Sequence, residues 1–321
     1  WQIAQSRAYF LPKSQKQSRF CAICQSLSCE PTFDTLIKIM NKKVFVLLFL
    51  GMIVFLSAQN QRFMYEYKFV SDSTNRDDVK TELMNLDTTP KGSKFYSYTS
   101  YKSDSLMRVD LEKQLKANGS INIKTDQRKG VIRYSIAKNY TNGNIDFRTR
   151  IGMDAFRVAE ERKMTWKILP DKQKIGNWET QKATTEFAGR KWTAWFCSDI
   201  PIQDGPYKFS GLPGLVVKLE DDTHSHLYNL IAIKNLGVLE PEIYAFQISK
   251  EIPLKSAEYK KLLLEHRKDP AKGLRQISMD NGVVLNMANS AENDKFLKER
   301  EERLKEQIKK DNNLIEIDLL K

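Results

Sequence analysis

The sequence predicts a mainly β protein of the α+β class, built on a curved antiparallel sheet that could be half-barrel-like, with an inserted helix and C-terminal helices. Two patterns carry this prediction. Phe63, Tyr65, Tyr67 and Phe69 recur at period two, which is the spacing of a strand with one buried face. Short apolar runs of similar character follow, whereas residues 251–321 have helical stretches and many charges.

Nine further strand-like runs follow the first one along the chain. They lie at 81–86, 94–98, 131–138, 145–150, 165–169, 177–184, 190–197, 215–220 and 227–233. Asn142-Gly143 and Ala188-Gly189 mark tight turns, because glycine and asparagine accept the positive φ that hairpin turns require. Short turns between neighbouring strands favour antiparallel pairing.

Three stretches have helical character instead. Residues 103–116 interrupt the strands once and place Leu106 and Leu115 near one face. The sequence of residues 256–267 predicts a second helix. Residues 293–310 are dense in alternating charges and have few apolar positions, so we expect a peripheral helix with a largely solvated surface. Sustained heptads, which a coiled coil requires, are absent from this sequence.

The N-terminal sequence indicates that the native protein begins inside the chain. The first methionine is Met40, and we expect residues 1–39 to be a non-native upstream extension. Cys21 and Cys24 form a Cys-x-x-Cys motif in that segment, which on its own would suggest a redox or metal site. Its position upstream of the start argues against a function.

Residues 40–58 are typical of a signal peptide. Two lysines precede a 13-residue apolar run, and Ala58 is the small residue expected at a cleavage site. A transmembrane helix is the alternative, but crossing the hydrocarbon core takes about 20 apolar residues. The rest of the chain then divides into a β-rich domain at 59–250 and a helical, charged extension at 251–321.

The composition excludes several classes of protein. With 321 residues, of which 41% are hydrophobic and 29% charged, the chain has a globular balance. The net charge is +12, and residues 1–58 hold seven basic and two acidic residues, so their removal lowers it by five. The basic residues are spread among acidic ones, and we therefore expect no nucleic-acid partner. We expect no cofactor.

Few side chains could carry catalysis. Cys197 is the one cysteine after residue 58, and no nucleophile motif surrounds it, so we expect a partly buried cysteine at a strand end. His224 and His226 could present two imidazoles on one face of a strand. A polar turn is the alternative, and a third ligand is not evident. We assign no catalytic residue and no metal ligand, and we expect that the protein is not an enzyme.

The most specific pattern is central. It reads Gly-Pro-Tyr-Lys-Phe-Ser over residues 205–210 and continues as Gly-Leu-Pro-Gly-Leu-Val over residues 211–216. This resembles the GLPGLI family of secreted bacterial envelope proteins, with valine in place of the final isoleucine of the family's name. The resemblance covers roughly residues 62–235. It implies secretion but no chemistry, because the family has no established activity.

The Gly-Pro segment and the tryptophans before it form the candidate ligand- or partner-binding site. Proline fixes φ and glycine permits unusual backbone conformations, so the segment is expected to be a rigid apolar loop. It could be a rim over an apolar cavity, or a seal that closes the core of the sheet. The candidate residues are Trp192, Trp195, Tyr207, Phe209, Gly211, Leu212, Pro213, Gly214 and Leu215.

These observations lead to one functional hypothesis and two alternatives. We expect an exported cell-envelope protein, periplasmic, outer-membrane-associated or extracellular, that binds a lipid or another small apolar ligand between a curved sheet and its inserted helix. The first alternative is an interaction module that docks on an outer-membrane receptor or transporter. A secreted hydrolase is the second, and it requires a catalytic constellation that the sequence does not present.

Overall fold

The computed structural model describes residues 60–118, 128–152, 154–237, 250–273 and 290–321. The upstream extension, its Cys-x-x-Cys motif and the signal peptide expected before residue 59 lie outside the described residues. Twelve strands of the described part form one sheet. They are β1 (Gln61–Val70), β2 (Val79–Thr89), β3 (Gly92–Ser97), β4 (Ser135–Asn139), β5 (Ile145–Ile151), β6 (Asp154–Ala159), β7 (Lys167–Ile175), β8 (Trp178–Phe187), β9 (Arg190–Cys197), β10 (Leu215–Asp221), β11 (His226–Asn235) and β12 (Ile252–Lys255).

The strand order is β12-β6-β5-β4-β3-β2-β1-β11-β10-β9-β8-β7. Strands β1 to β6 each pair with the next along the chain, as do β7 to β11, and the β1–β11 ladder joins the two series. These pairings are antiparallel, and only β12 lies parallel to its neighbour, β6. The prediction of a mainly β protein on an antiparallel sheet is therefore confirmed. The sheet is mixed, because β12 is parallel to β6, and it is not closed.

Three α-helices accompany the sheet in the described residues: α1 (Tyr98–Asn118), α2 (Ser256–Lys268) and α3 (Ser290–Lys310). A short 3-10 helix follows at Ile317–Leu320. Helix α1 begins directly after β3, where Ser97 Oγ accepts the backbone N–H of Ser100 at 2.9 Å as an N-cap. None of the described helices is both long enough and apolar enough to cross a membrane.

One face of the sheet carries the core. A single row of register partners crosses the first six strands on this face, and all its members are buried: Phe63, Leu86, Phe95, Ile136, Phe147 and Val158. Alternation along each strand produces this row, because every second side chain points to the same face. The face is covered by the loop at 198–214 and by the C-terminal residues 311–320, several of which are themselves buried.

Candidate functional site

The loop at 198–214 connects β9 to β10 and folds onto the core face of the sheet. The backbone N–H of Val216 donates to Asp204 O at 3.0 Å, and that of Leu215 donates to Ile200 O at 3.1 Å, so the loop is tied to the start of β10. Six of the nine candidate residues are buried, namely Trp192, Tyr207, Phe209, Leu212, Gly214 and Leu215. The loop fills the space above the sheet.

The two candidate tryptophans lie on opposite faces of β9. Trp192 is only 1% exposed and its ring centroid is 4.8 Å from that of Phe209, within the core. Trp195 is three positions further along and partly exposed, with Lys182 Nζ 5.9 Å from its ring centroid. Gly211 and Pro213 are also exposed, at the outer edge of the loop. The structure thus separates the candidate residues and does not gather them around one ligand.

A buried ion pair fastens the loop to the sheet. Lys138 Nζ lies 2.5 Å from Asp204 Oδ1 and donates to two backbone carbonyls of the loop at 2.8 and 2.9 Å. Asp204 also accepts hydrogen bonds from Ser93 and Tyr140. Burial lowers the pKa of Lys138, and the charge of Asp204 opposes this change. Every polar group of the pair therefore has a partner, which is what a buried charge requires.

A second buried network joins the loop to the C-terminal residues. Lys208 pairs with Glu316 and, at 2.8 Å, with Glu160. Tyr207 OH donates to Glu316 at 2.5 Å, and Arg162 contacts both carboxylates at 2.6 and 2.7 Å. Burial alone would raise the pKa of Glu160, but the hydrogen bonds from Arg162 and the charge of Lys208 lower it to about 2. The carboxylates are held ionised and serve the packing of the loop.

A third network lies under the β10–β11 turn. Asp221 accepts from Arg190 Nη1 at 2.9 Å and from the backbone N–H groups of Ser225 and His226 at 2.8 Å each. The Nδ1 atom of His226 is 2.8 Å from Tyr67 OH. Burial, followed by the charge of Arg190, lowers the pKa of His226 to about 4. His226 is therefore a neutral core histidine at physiological pH.

The two histidines of the possible metal pair are not brought together. His224 stands in the turn with φ 54° and a side chain that is 78% exposed, whereas His226 is buried. No cluster of three or more His, Cys, Asp or Glu side chains in the described segments is arranged to hold a metal ion. Cys197 is a buried free thiol at the end of β9.

An apolar recess lies elsewhere, between α1 and β2. This helix–sheet groove has a volume of about 840 Å³. Leu83 forms its sheet wall, and Leu106, Met107 and Leu111 contribute from the helix. Leu83 alternates with the core residues of β2 and so points to the opposite face of the sheet. Leu111 is buried, while Leu106 is 63% exposed.

One end of the helix–sheet groove is basic. Lys102, Arg128 and Lys129 line it near the start of α1. The segment after residue 127 is hydrogen-bonded to the helix. Arg128 Nε donates to Asp104 at 3.0 Å, and the backbone N–H of Lys129 donates to Ser103 at 2.8 Å. The groove thus combines an apolar wall with a cationic end.

Sequence reasoning missed the buried networks, although the strand pattern contained a signal for them. Lys138 lies two positions after Ile136 in β4, and Arg190 lies two positions before Trp192 in β9. Each charged residue therefore points to the same face of the sheet as its buried neighbour. A charged residue in phase with buried positions must be paired on the core face, because an unpaired charge there would be strongly destabilising. The partners are distant in the sequence, and no local pattern identifies them.

Comparisons with known proteins add a family similarity for the central region. Two solved structures of PNGF-II, in different space groups, are each 14% identical to the chain with a TM-score of 0.46; each match covers 65% of this chain and 34% of that chain. The chain therefore spans about a third of the length of these structures. No curated protein matches it. A family model described as "Protein of unknown function (Porph_ging)" matches residues 153–218, so the central part of the chain is similar to an uncharacterised family.

Proposed function

We propose that the protein binds an elongated apolar ligand, such as a single acyl chain, in the helix–sheet groove. The observation that carries the proposal is an apolar recess of about 840 Å³ with Leu106 left 63% exposed at its wall. This volume lies in the range of roughly 300–1,000 Å³ that is typical of small-molecule sites. An apolar ligand would cover side chains that water now reaches, and the gain in free energy scales with the area covered.

The position of the groove supports binding between the sheet and the inserted helix. Above the core face, Phe209 and Leu212 are buried and fill the space where a ligand could otherwise enter beside the Gly-Pro loop. We therefore assign the loop a structural role as a seal. The buried charges of Lys138 and Lys208 are neutralised by carboxylates that hold the loop in place, and we propose that the protein acts by binding and not by catalysis.

We also propose that the chain is a GLPGLI-family protein that is exported to the cell envelope. Support comes from the hexapeptide at 211–216, which lies within the region similar to the uncharacterised family. Export rests on the sequence of residues 40–58, with its basic start and apolar run. An envelope location would give the protein access to acyl chains from membrane lipids.

Equilibrium dialysis with radiolabelled palmitate tests the proposed site. We expect the wild-type chain to bind palmitate, and Leu106→Gln to weaken binding about fivefold, because a polar amide would replace roughly 1 kcal/mol of apolar contact. Leu115→Gln is the matched control. Leu115 is on the same helix and 53% exposed, but it does not line the groove.

Equal loss of binding in both variants would contradict the assignment of the groove. Absence of binding by the wild-type chain of both palmitate and its neutral analogue 1-hexadecanol would contradict the proposed function itself. That result would favour the alternative of an interaction module that docks on an outer-membrane receptor or transporter.

A further inference from the structure

We infer that the ligand of the helix–sheet groove is a single-chain carboxylate whose anionic head group lies at the Lys102–Lys129 end. The inference rests on the proposed function and specifies the class of ligand. Its basis is the uneven distribution of charge along the groove. Three cationic side chains, those of Lys102, Arg128 and Lys129, line one end, whereas the one carboxylate of the lining is Asp110.

The carboxylate of the lining is too far along the helix to neutralise the basic end. Asp110 follows Lys102 by two helical turns, a separation of roughly 12 Å along the axis at 1.5 Å per residue. Its Oδ2 atom accepts a hydrogen bond from Gln114 at 2.7 Å, in the direction away from Lys102. The basic end and the acidic end are therefore distinct.

Two further carboxylates lie near the basic end. The buried Glu82 is engaged by the backbone N–H groups of Val131 and Ile132, and Asp104 is shared by two guanidinium groups. Arg128 and Arg133 lie 3.0 and 3.2 Å from Asp104 Oδ1. Two positive charges thus face one negative charge, and the ammonium groups of Lys102 and Lys129 add to the excess. An anion at this end gains favourable interactions with several cations at once, and it can retain contact with water because both lysines are exposed.

The groove has room for one acyl chain. A methylene group takes up about as much room as a water molecule in the liquid, roughly 30 Å³, so a sixteen-carbon chain needs about 480 Å³, and the groove has about 840 Å³. We assign a free fatty acid because it is the simplest ligand that combines one apolar chain with an anionic head group.

Binding of two probes with the same chain separates this inference from the proposed function. Palmitate carries the carboxylate, and 1-hexadecanol carries a neutral hydroxyl. We expect the Lys102→Gln/Lys129→Gln variant to bind palmitate about five- to thirtyfold more weakly than the wild type does, with unchanged binding of 1-hexadecanol. The control is Lys113→Gln/Lys116→Gln, two exposed lysines of α1 that do not line the groove, and it should bind both probes as the wild type does.

Equal affinity of the wild type for the two probes, or an unchanged affinity for palmitate in the Lys102/Lys129 variant, would overturn the head-group assignment while leaving apolar binding intact. Failure of both probes to bind would overturn the proposed function. Preferential extraction of a phospholipid from vesicles of phosphatidylethanolamine and phosphatidylglycerol, with palmitate unable to compete, would overturn the assignment of a single chain.

Discussion

Lys138 and Asp204 form an ion pair of 2.5 Å in which the two side chains are only 3% and 0% exposed. Lys138 belongs to β4, and Asp204 is in the loop that precedes β10, so the pair joins the two series of antiparallel strands across the core face. Because Lys138 also donates to two loop carbonyls, this one ammonium group makes three polar contacts between the sheet and the loop.

Replacement of the lysine should be strongly destabilising. Lys138→Met leaves the buried carboxylate of Asp204 without its cation, and we expect a loss of about 3–5 kcal/mol in the free energy of unfolding. Urea denaturation followed by tryptophan fluorescence measures it. Lys91→Met, at an exposed position, is the control and should change stability by less than about 0.5 kcal/mol. A loss below about 1 kcal/mol for Lys138→Met would mean that Asp204 does not depend on this partner.

The glycines of the hexapeptide should differ sharply in their tolerance of alanine. A Cβ atom at Gly214 would lie 2.2 Å from Cys197 O, which is backbone and cannot move aside, whereas a Cβ at Gly211 would meet nothing within 4 Å. We expect Gly214→Ala to cost about 3 kcal/mol and Gly211→Ala about 1 kcal/mol, the latter from its φ of 91° alone. Thermal unfolding of the two variants compares them, and equal melting temperatures would contradict this account of the loop.

The C-terminal residues should contribute to stability through one carboxylate in particular. Glu316→Gln removes a charge that is held by Lys208, Arg162 and Tyr207, and we expect a loss of about 2 kcal/mol. Asp318→Asn is the matched control, because Asp318 pairs with the same arginine but its side chain is 39% exposed. Guanidinium denaturation of both variants tests the difference. An equal effect of the two substitutions would show that burial of Glu316 is not what matters.

Stability should fall as the pH is lowered from 6.5 to 4. The pKa of His226 is about 4 in the folded protein and 6.5 ordinarily, so in this window the unfolded chain binds the proton and the folded chain does not. The unfolded state is then favoured as pH decreases, by on the order of 3 kcal/mol in total. Urea unfolding midpoints across this range measure the slope.

The control for this slope is another histidine. His226→Gln should flatten the pH dependence between 6.5 and 4. His266→Gln should flatten it only slightly, since burial lowers the pKa of that residue as well but the side chain is partly exposed. If the pH dependence of stability is unaltered in His226→Gln, groups other than His226 cause it. Below pH 4 the paired carboxylates, such as Glu160, add a further loss of stability as they become protonated.

Much of the sheet could be predicted because its strands obey a two-residue period. The predicted run at 190–197 coincides with β9, and the run at 145–150 is one residue shorter than β5. Two strands, β6 and β12, were not predicted, and β12 has only four residues and contains Pro253, a poor strand former. Helix α1 extends five residues before the predicted 103–116, because its N-cap, Ser97, is still part of β3.

The groove and the buried networks could not be predicted to the same extent. The helix–sheet groove depends on how α1 lies against Leu83, and the tilt of a helix on a sheet is a matter of tertiary packing that periodicity does not encode. The Lys138–Asp204 pair joins residues 66 positions apart, and its formation depends on the course of the intervening chain. The aromatic residues around the Gly-Pro turns stay a predicted binding segment, and the structure adds that most of them are buried.

The pairing of β1 with β11 has a kinetic consequence. Tyr67 and His226, which meet on that ladder, are 159 residues apart in the chain, whereas almost every other ladder joins consecutive strands. Contacts between such distant segments slow folding, because a long loop must close before they form. During synthesis, the edge of β1 that faces β11 has no partner until β11, which ends at residue 235, has been added. An aromatic strand with an unpaired edge is prone to aggregate. The nascent chain should therefore depend on chaperones until its middle strand is paired.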